Sequence, residues 1–289
     1  MKQPVFTGVC TALVTPFING QINFPLMEQL LKRQIDAGIE AVVLSGTTGE
    51  APTLSDEEKI AMFKTAKQYA GDSLTVIAGT GTNSTEHAVR LSLQAQQAGV
   101  DALLVVTPYY NKGNTDGLYR HYEAIANAVN IPIIVYNVPS RTGVDMTPAL
   151  YAKISKLPNI VGVKEASSDI NKIAKIRCMC PKDFYIWTGN DEQIVPVLAM
   201  GGIGAISVLS NIFPEETSAM AEAAMDGDFD TAAHLQCQFH PFITQLFAEV
   251  NPIAIKYAMK YAGFDCGKCR LPLGELSQEV KNKIDRLFQ

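Results

Sequence analysis

The sequence predicts an α/β fold, a (β/α)8 TIM barrel with a C-terminal helical extension. Three observations predict it. Short apolar runs rich in β-branched residues alternate with amphipathic segments, eight such pairs fit before residue 226, and the remainder carries helix patterns alone. Several of the runs are almost continuously hydrophobic, as parallel strands covered on both faces require. An open doubly wound sheet is the alternative that alternation alone leaves standing.

The elements follow in order. Residues 8–14 read as the first strand, framed by Pro4 and Pro16, and Gly38 marks a helix end before the second strand, 41–45. Ser55 with Glu58 forms a capping box and Gly71 a stop, leading to the strand at 75–78. Asn83 with Glu86 is read as a second box, closed by Gly99, before the strand at 102–107. Strands at 132–136 and 160–164 flank Thr147-Pro148, an N-cap followed by a first-turn proline. Strands at 184–188 and 205–209 complete the eight. Helices are expected at 214–225, 228–249, 252–262 and 277–288, punctuated by Gly227, Pro252 and Gly263. The chain therefore divides into a barrel, 1–226, and a helical extension, 227–289, packed on it without a flexible linker.

Composition narrows the classes of function. The 289 residues are 47% hydrophobic and carry a net charge of -5, enough for a large core and no clustered basic surface for nucleic acid or anionic lipid. No run approaches the roughly 20 apolar residues of a membrane helix, and Met1 to Phe17 lacks the pattern of a signal peptide. Six cysteines in a chain of this length form no disulfide framework, so a reducing, cytoplasmic setting is expected.

Barrel enzymes place their reacting groups at the C-terminal ends of strands. Lys164 ends Ile160-Val161-Gly162-Val163-Lys164. Alternation puts it on one face with Ile160 and Gly162, with Gly162 leaving volume beneath the amine. An amine that attacks a carbonyl must be neutral, and an apolar barrel mouth disfavours the charged form. The plainer reading is a lysine turned to solvent. Tyr136 ends the preceding strand, where a phenol could shuttle protons or merely cap the core. Gly46-Thr47-Thr48-Gly49-Glu50 could offer amides and two hydroxyls to a carboxylate, or be a simple strand–helix turn. Arg141 could hold a second carboxylate by a bidentate pair or lie solvated. Tyr109 and Tyr110 suit a subunit contact or packing over the rim.

Other signals are weaker. Cys266 and Cys269 form a CxxC, and Cys178 and Cys180 a CxC, but a zinc site would need all four thiolates to converge. His87, His121, His234 and His240 fall on expected helices, away from strand ends, which leaves a metal-dependent aldolase without ligands. Gly201-Gly202-Ile203-Gly204 lacks nucleotide-loop spacing. No metal and no cofactor is called for.

Taken together, Gly46 to Glu50, Tyr109 to Lys112, Tyr136-Asn137-Val138-Pro139, Arg141-Thr142-Gly143, Gly162 to Glu165 and Arg270-Leu271-Pro272-Leu273 resemble the dihydrodipicolinate synthase branch of the pyruvate-dependent lyase and N-acetylneuraminate lyase superfamily. The resemblance runs nearly end to end. It implies that Lys164 forms an imine with pyruvate and that Tyr136 donates and accepts the proton. Thr47 would link Tyr136 to Tyr110, which would reach into a neighbouring subunit. It further implies that Thr48 and the Ile206 backbone hold pyruvate, that Arg141 binds the carboxylate of L-aspartate 4-semialdehyde, and that Gly189 lies at the mouth. Relatives of this type are usually homotetramers, pairs of tight dimers, serving lysine biosynthesis.

This chain departs from its lysine-inhibited relatives at Ala51, Asp56, Lys59 and His87, where a polar allosteric cleft would lie. Replacing an acid by His87 and adding Lys59 repels an ammonium ligand, so weak or absent feedback by lysine is expected. Two other functions remain in view: a sister lyase cleaving a sugar acid such as N-acetylneuraminate, and a barrel that only binds a 2-oxo acid. Arg141 and the tyrosine pair favour a small carboxylated aldehyde. A binding module would be expected to have lost Lys164 or Tyr136.

Overall fold

A computed structural model describes residues 1–289. Eight parallel strands close into one barrel in sequence order: β1 (Gly8–Ala12), β2 (Ala41–Leu44), β3 (Thr75–Gly79), β4 (Ala102–Val106), β5 (Ile133–Asn137), β6 (Ile160–Glu165), β7 (Tyr185–Thr188) and β8 (Gly204–Ser207), with β8 pairing back onto β1. Each strand is followed by a helix: α1 (Phe24–Asp36), α2 (Asp56–Ala70), α3 (Thr85–Gln97), α4 (Thr115–Ala128), α5 (Pro148–Ile154), α6 (Asn171–Met179), α7 (Ile194–Ala199) and α8 (Pro214–Met225). Every expected strand is present, with ends within one or two residues of expectation. The open-sheet alternative falls with the β8–β1 pairing. A small antiparallel hairpin, Phe17–Ile18 with Gln21–Ile22, was not expected from the sequence.

Two apolar layers result from the pleat. Outward-facing strand residues such as Val42, Ile133, Val135 and Ile186 join the helices in a cluster of 64 buried residues. Inward-facing ones, among them Cys10, Val43, Ile77, Ile134, Tyr136 and Ile206, fill the barrel in a cluster of 15. Fully burying one such aliphatic side chain contributes about 1.5–3 kcal/mol. The inner layer thus makes the barrel a packed body, and leaves its mouth as the place for chemistry.

One strand breaks the alternation. Between β5 and β6 the register shifts at Ile133/Ile134, so that Ile134 faces Gly162 while Ile133 faces Ile160. Ile160 consequently packs outward and Val161 inward. Lys164 does not share a face with Ile160, as strict alternation had predicted: the irregularity takes up one residue.

Capping follows the expectations closely but not everywhere. Ser55 and Glu58 make the complete capping box at the start of α2, and Thr147 caps α5 ahead of Pro148. At α3 the cap is Ser84, not Asn83, because the Ser84 hydroxyl accepts from the His87 N–H. Gly38, Gly71 and Gly99 all adopt positive φ at helix ends.

The extension consists of α9 (Phe229–Leu246), α10 (Ile253–Ala258), a short 3-10 turn (Met259–Ala262) and α11 (Gln278–Leu287). Its buried residues Phe239, Ile243, Ile255, Met259 and Ile284 belong to the same apolar cluster as the outer barrel layer. Polar ties reinforce it. The Arg270 guanidinium grips Glu58 on α2, donates to the carbonyls of Thr53 and Gly20, and lies 4.4 Å from the centroid of the Phe17 ring.

The opposite end of the barrel is closed. Trp187 is fully buried, stacks on Phe6 at 5.2 Å and donates to the Phe6 carbonyl. Lys2 donates from Nζ to the carbonyls of Ser155, Leu157 and Ile160. Burial holds its ammonium below the ordinary lysine range. No helix is long and apolar enough to cross a membrane.

Candidate active site

The strand ends bring the two sharpest sequence candidates together. Tyr136 and Lys164 are direct neighbours across β5 and β6. Both are buried, and Lys164 Nζ lies 4.4 Å from the centroid of the Tyr136 ring. Adjacent positions explain why the lysine points inward. Val163 joins the outer apolar layer, and Glu165 is held on that outer side by the Tyr151 hydroxyl at 2.8 Å and the Asn137 amide at 2.9 Å. With its neighbours committed outward, the pleat turns Lys164 into the barrel.

Two glycines shape its surroundings. A Cβ on Gly189 would come within 2.8 Å of Lys164 Cε and 2.7 Å of Ala166 Cβ, so this position packs directly on the lysine stem. Gly162 serves a different end from the one expected. Its missing side chain does not leave space: a Cβ there would meet the Trp187 ring at 2.8 Å and the Tyr185 carbonyl oxygen at 2.2 Å. The indole already fills that place.

The loop Gly46-Thr47-Thr48-Gly49-Glu50 is a tightly constrained turn. Ser45, just before it, and Glu50, its last residue, both have left-handed backbones, with φ of 54° and 59°. Such conformations are costly for residues with a Cβ and need outside support. Glu50 supplies it. Its buried carboxylate accepts from Lys256 Nζ at 2.9 Å and from the Arg270 backbone N–H at 2.8 Å. Thr15 holds the Gly49 carbonyl, and the Asn251 amide donates to Thr48 Oγ1.

A cavity of about 380 Å³ opens beside this loop. Thr47, Tyr136 and Arg141 line it, with Tyr109, Asn83, Ala51, Lys59 and His87 toward its other end. Arg141 is exposed on the single helical turn Pro139–Thr142, free to meet an anion. Lys164, Thr48 and Ile206 are buried and do not line this cavity. Tyr110 is not brought in. It is 91% exposed with φ of 69°, so one chain by itself does not place Tyr110 against Thr47.

At the far end, Lys59 is buried and desolvation lowers its pKa, partly offset by Asp56 and Glu58. His87 pairs with Asp56 at 2.9 Å, and Arg90 reaches the same carboxylate. Desolvation works to raise the Asp56 pKa, but hydrogen bonds from His87 and Arg90 outweigh it and hold the carboxyl below its usual range.

Other sequence signals find structural places. The four histidines lie on α3, α4 and α9. Cys266 and Cys269 sit in a loop where burial pushes both thiols up to about 12, the reverse of what a thiolate ligand or redox motif needs. Gly201 to Gly204 leads into β8.

Three residues escaped the sequence reading. Asp191 is buried beyond Gly189, accepts from the N–H groups of Val208 and Leu209, and has its pKa raised by burial. Its place two residues after a mouth glycine was the available signal. Asn251 and Lys256 had none, since they meet the Thr48 and Glu50 side chains across more than 200 residues of sequence.

The comparisons with known proteins agree on one family. A profile of the dihydrodipicolinate synthetase family matches residues 5–289. The chain is 46% identical to a 4-hydroxy-tetrahydrodipicolinate synthase of Caldicellulosiruptor saccharolyticus over 98% of its own length and 96% of the relative's. Among solved structures it is similar to a chloride-inhibited dihydrodipicolinate synthase of Acinetobacter baumannii in complex with pyruvate. That match has a TM-score of 0.95, 37% identity and 97% coverage of each chain. A monomeric variant of dihydrodipicolinate synthase superposes with a TM-score of 0.96 at 38% identity, covering 98% of this chain and 96% of that one.

Proposed function

Since the chain belongs to the dihydrodipicolinate synthetase family, we propose that it condenses pyruvate with L-aspartate 4-semialdehyde to 4-hydroxy-tetrahydrodipicolinate, through an imine on Lys164. The observation that carries this reading is the pairing of Lys164 with Tyr136 on neighbouring strands, both buried.

The steps follow from the residues. Neutral Lys164 attacks C2 of pyruvate, and Tyr136 supplies the proton that lets water leave. The protonated imine withdraws electrons, so C3 loses a proton and becomes an enamine. The enamine attacks the aldehyde carbon, whose oxygen takes a proton. The substrate's own amine then displaces Lys164 by transimination and closes the ring. Thr48 and the Ile206 backbone hold the pyruvate carboxylate, and Arg141, exposed at the cavity mouth, takes the carboxylate of the aldehyde. Gly189 gives the lysine stem its room. A polyol acceptor would have no use for a cation there, which favours this reaction over the sugar-acid lyase.

Residues 1–226 form the catalytic barrel and 227–289 its supporting extension. The enzyme works in the cytoplasm as a homotetramer, a dimer of dimers. In it, Tyr110 crosses to a neighbouring subunit and completes a relay through Thr47 to Tyr136; its exposed ring and constrained backbone support that role. Light scattering that returned the mass of one chain would remove Tyr110 from the relay. Feedback by lysine is weak or absent, because His87 stands where an ammonium ligand needs an acid and Lys59 adds a repelling charge. Half-maximal inhibition below millimolar lysine would overturn this.

Reduction with borohydride in the presence of pyruvate tests the central claim. Mass spectrometry should find the adduct on Lys164, and turnover should occur with L-aspartate 4-semialdehyde and not with N-acetylneuraminate. An adduct elsewhere, or the opposite substrate preference, refutes it.

A further inference from the structure

We propose that Asn251, in the C-terminal extension, is a specificity-determining positioning residue that sets the direction of the Thr48 hydroxyl and so selects a carboxylate in the oxo-acid site. This rests on the reading of Thr48 as a pyruvate ligand.

The argument begins with hydroxyl polarity. A threonine hydroxyl has one proton and two lone pairs, so what it accepts decides where its proton can go. Thr15 and Thr53 beside the Gly46 to Glu50 loop, and Thr11 on β1, give their protons to the protein. Thr15 Oγ1 donates to the Gly49 carbonyl at 2.7 Å, Thr53 Oγ1 to the Glu50 carbonyl at 3.1 Å, and Thr11 Oγ1 to Gln34 at 2.6 Å. Thr48 differs. Its Oγ1 accepts from Asn251 Nδ2 at 3.0 Å, leaving its own proton uncommitted. A hydroxyl held as a donor suits a carboxylate, which only accepts.

Asn251 is built for this one contact. It is 5% exposed, and its Oδ1 is buried without a hydrogen-bond partner. Keeping a half-satisfied buried amide is unfavourable for packing alone, so such a group asks for another explanation. The backbone that follows Thr48 is fixed: Thr15 holds the Gly49 carbonyl, and the Glu50 carboxylate is clamped by Lys256 and the Arg270 N–H. The extension therefore holds the loop in place through Glu50 and orients its hydroxyl through Asn251.

Steady-state kinetics of three variants of the full-length enzyme test this. In Asn251→Asp the carboxylate can only accept, so it captures the Thr48 proton. KM for pyruvate should rise about tenfold, while kcat and KM for the aldehyde stay within about twofold of the parent. Asn251→Leu, which lacks the donor but keeps the volume, should raise KM for pyruvate about threefold and serves if the buried acid prevents folding. In a Thr48→Val background, which itself should raise KM for pyruvate, neither substitution should add more. If Thr48→Val raises KM but both Asn251 variants leave it unchanged, the inference is wrong and the pyruvate role of Thr48 stands. If Thr48→Val has no effect, that role fails and the inference goes with it. Equal losses in kcat and in both KM values would mark Asn251 as merely structural.

Discussion

Lys164 owes its surroundings to residues that do no chemistry. Gly189 packs against its stem, and the smallest addition there collides with Cε. Gly189→Ala should therefore push the amine out of line with Tyr136 and lower kcat/KM by about 10²-fold, since roughly an ångström of misplacement costs that much. Yield of the borohydride adduct would fall in step, while thermal unfolding should change little. His121 illustrates a residue whose burial has a cost instead. Its ring accepts or donates at Thr85 Oγ1, its Nε2 has no partner, and desolvation lowers its pKa from 6.5 to about 4. The unfolded chain then binds this proton near pH 6.5 and the folded chain only near 4. Stability from this group is intact above pH 6.5 and declines as pH falls toward 4, by at most about 3 kcal/mol. Urea titrations between pH 7 and 4.5 should show a shallower decline in His121→Gln. At this scale the sequence was readable in placement: Lys164 and Tyr136 do meet on neighbouring strands, and Arg141 lies on the turn just past β5. It misled at Gly162, because a missing side chain signals close approach without saying whether a ligand or an indole does the approaching.

Elements were legible in proportion to how local their causes are. The Ser55–Glu58 box and the Thr147-Pro148 start were readable because each is satisfied within one turn. The cap at α3 moved from Asn83 to Ser84 because both residue types can cap, and residue type alone does not decide between neighbours. The register shift in β6 was invisible for a related reason: it arises from pairing with β5, not from the strand's own residues. The loop after β2 shows how one element can depend on a distant one. Lys256 and Glu50 are 3% and 0% exposed in their side chains, so neither can be left without the other. Lys256→Met should cost about 3–5 kcal/mol, the usual penalty for stranding a buried charge. Glu50→Gln combined with Lys256→Met should recover much of that loss. Denaturant midpoints of the two variants decide it, and equal destabilisation by the single and double variants would exclude ion-pair stranding as the cause.

The whole molecule has one outer core that runs from the barrel into the extension. The expected division at residue 226 therefore does not separate two cores. A chain ending at 226 loses Phe239, Ile243 and Ile255 from that core, along with the contacts of Asn251, Lys256 and Arg270 to the Gly46 to Glu50 loop. It should be aggregated or molten, without near-ultraviolet dichroism, whereas the full chain should unfold in a single transition. A folded fragment with native-like dichroism would contradict this. Architecture was legible because eightfold alternation repeats its message, whereas the ties across more than 200 residues left no trace in any local window. Finally, the sealed end of the barrel constrains traffic. Trp187 and Phe6 plug the floor and Lys2 fastens the loops below, so a nucleophilic carbon formed above them cannot be quenched from underneath. On the proposed mechanism, hydrons would then come and go by the same doorway as the reactants, and Tyr136 would be the gatekeeper of isotope exchange at the methyl group of bound pyruvate.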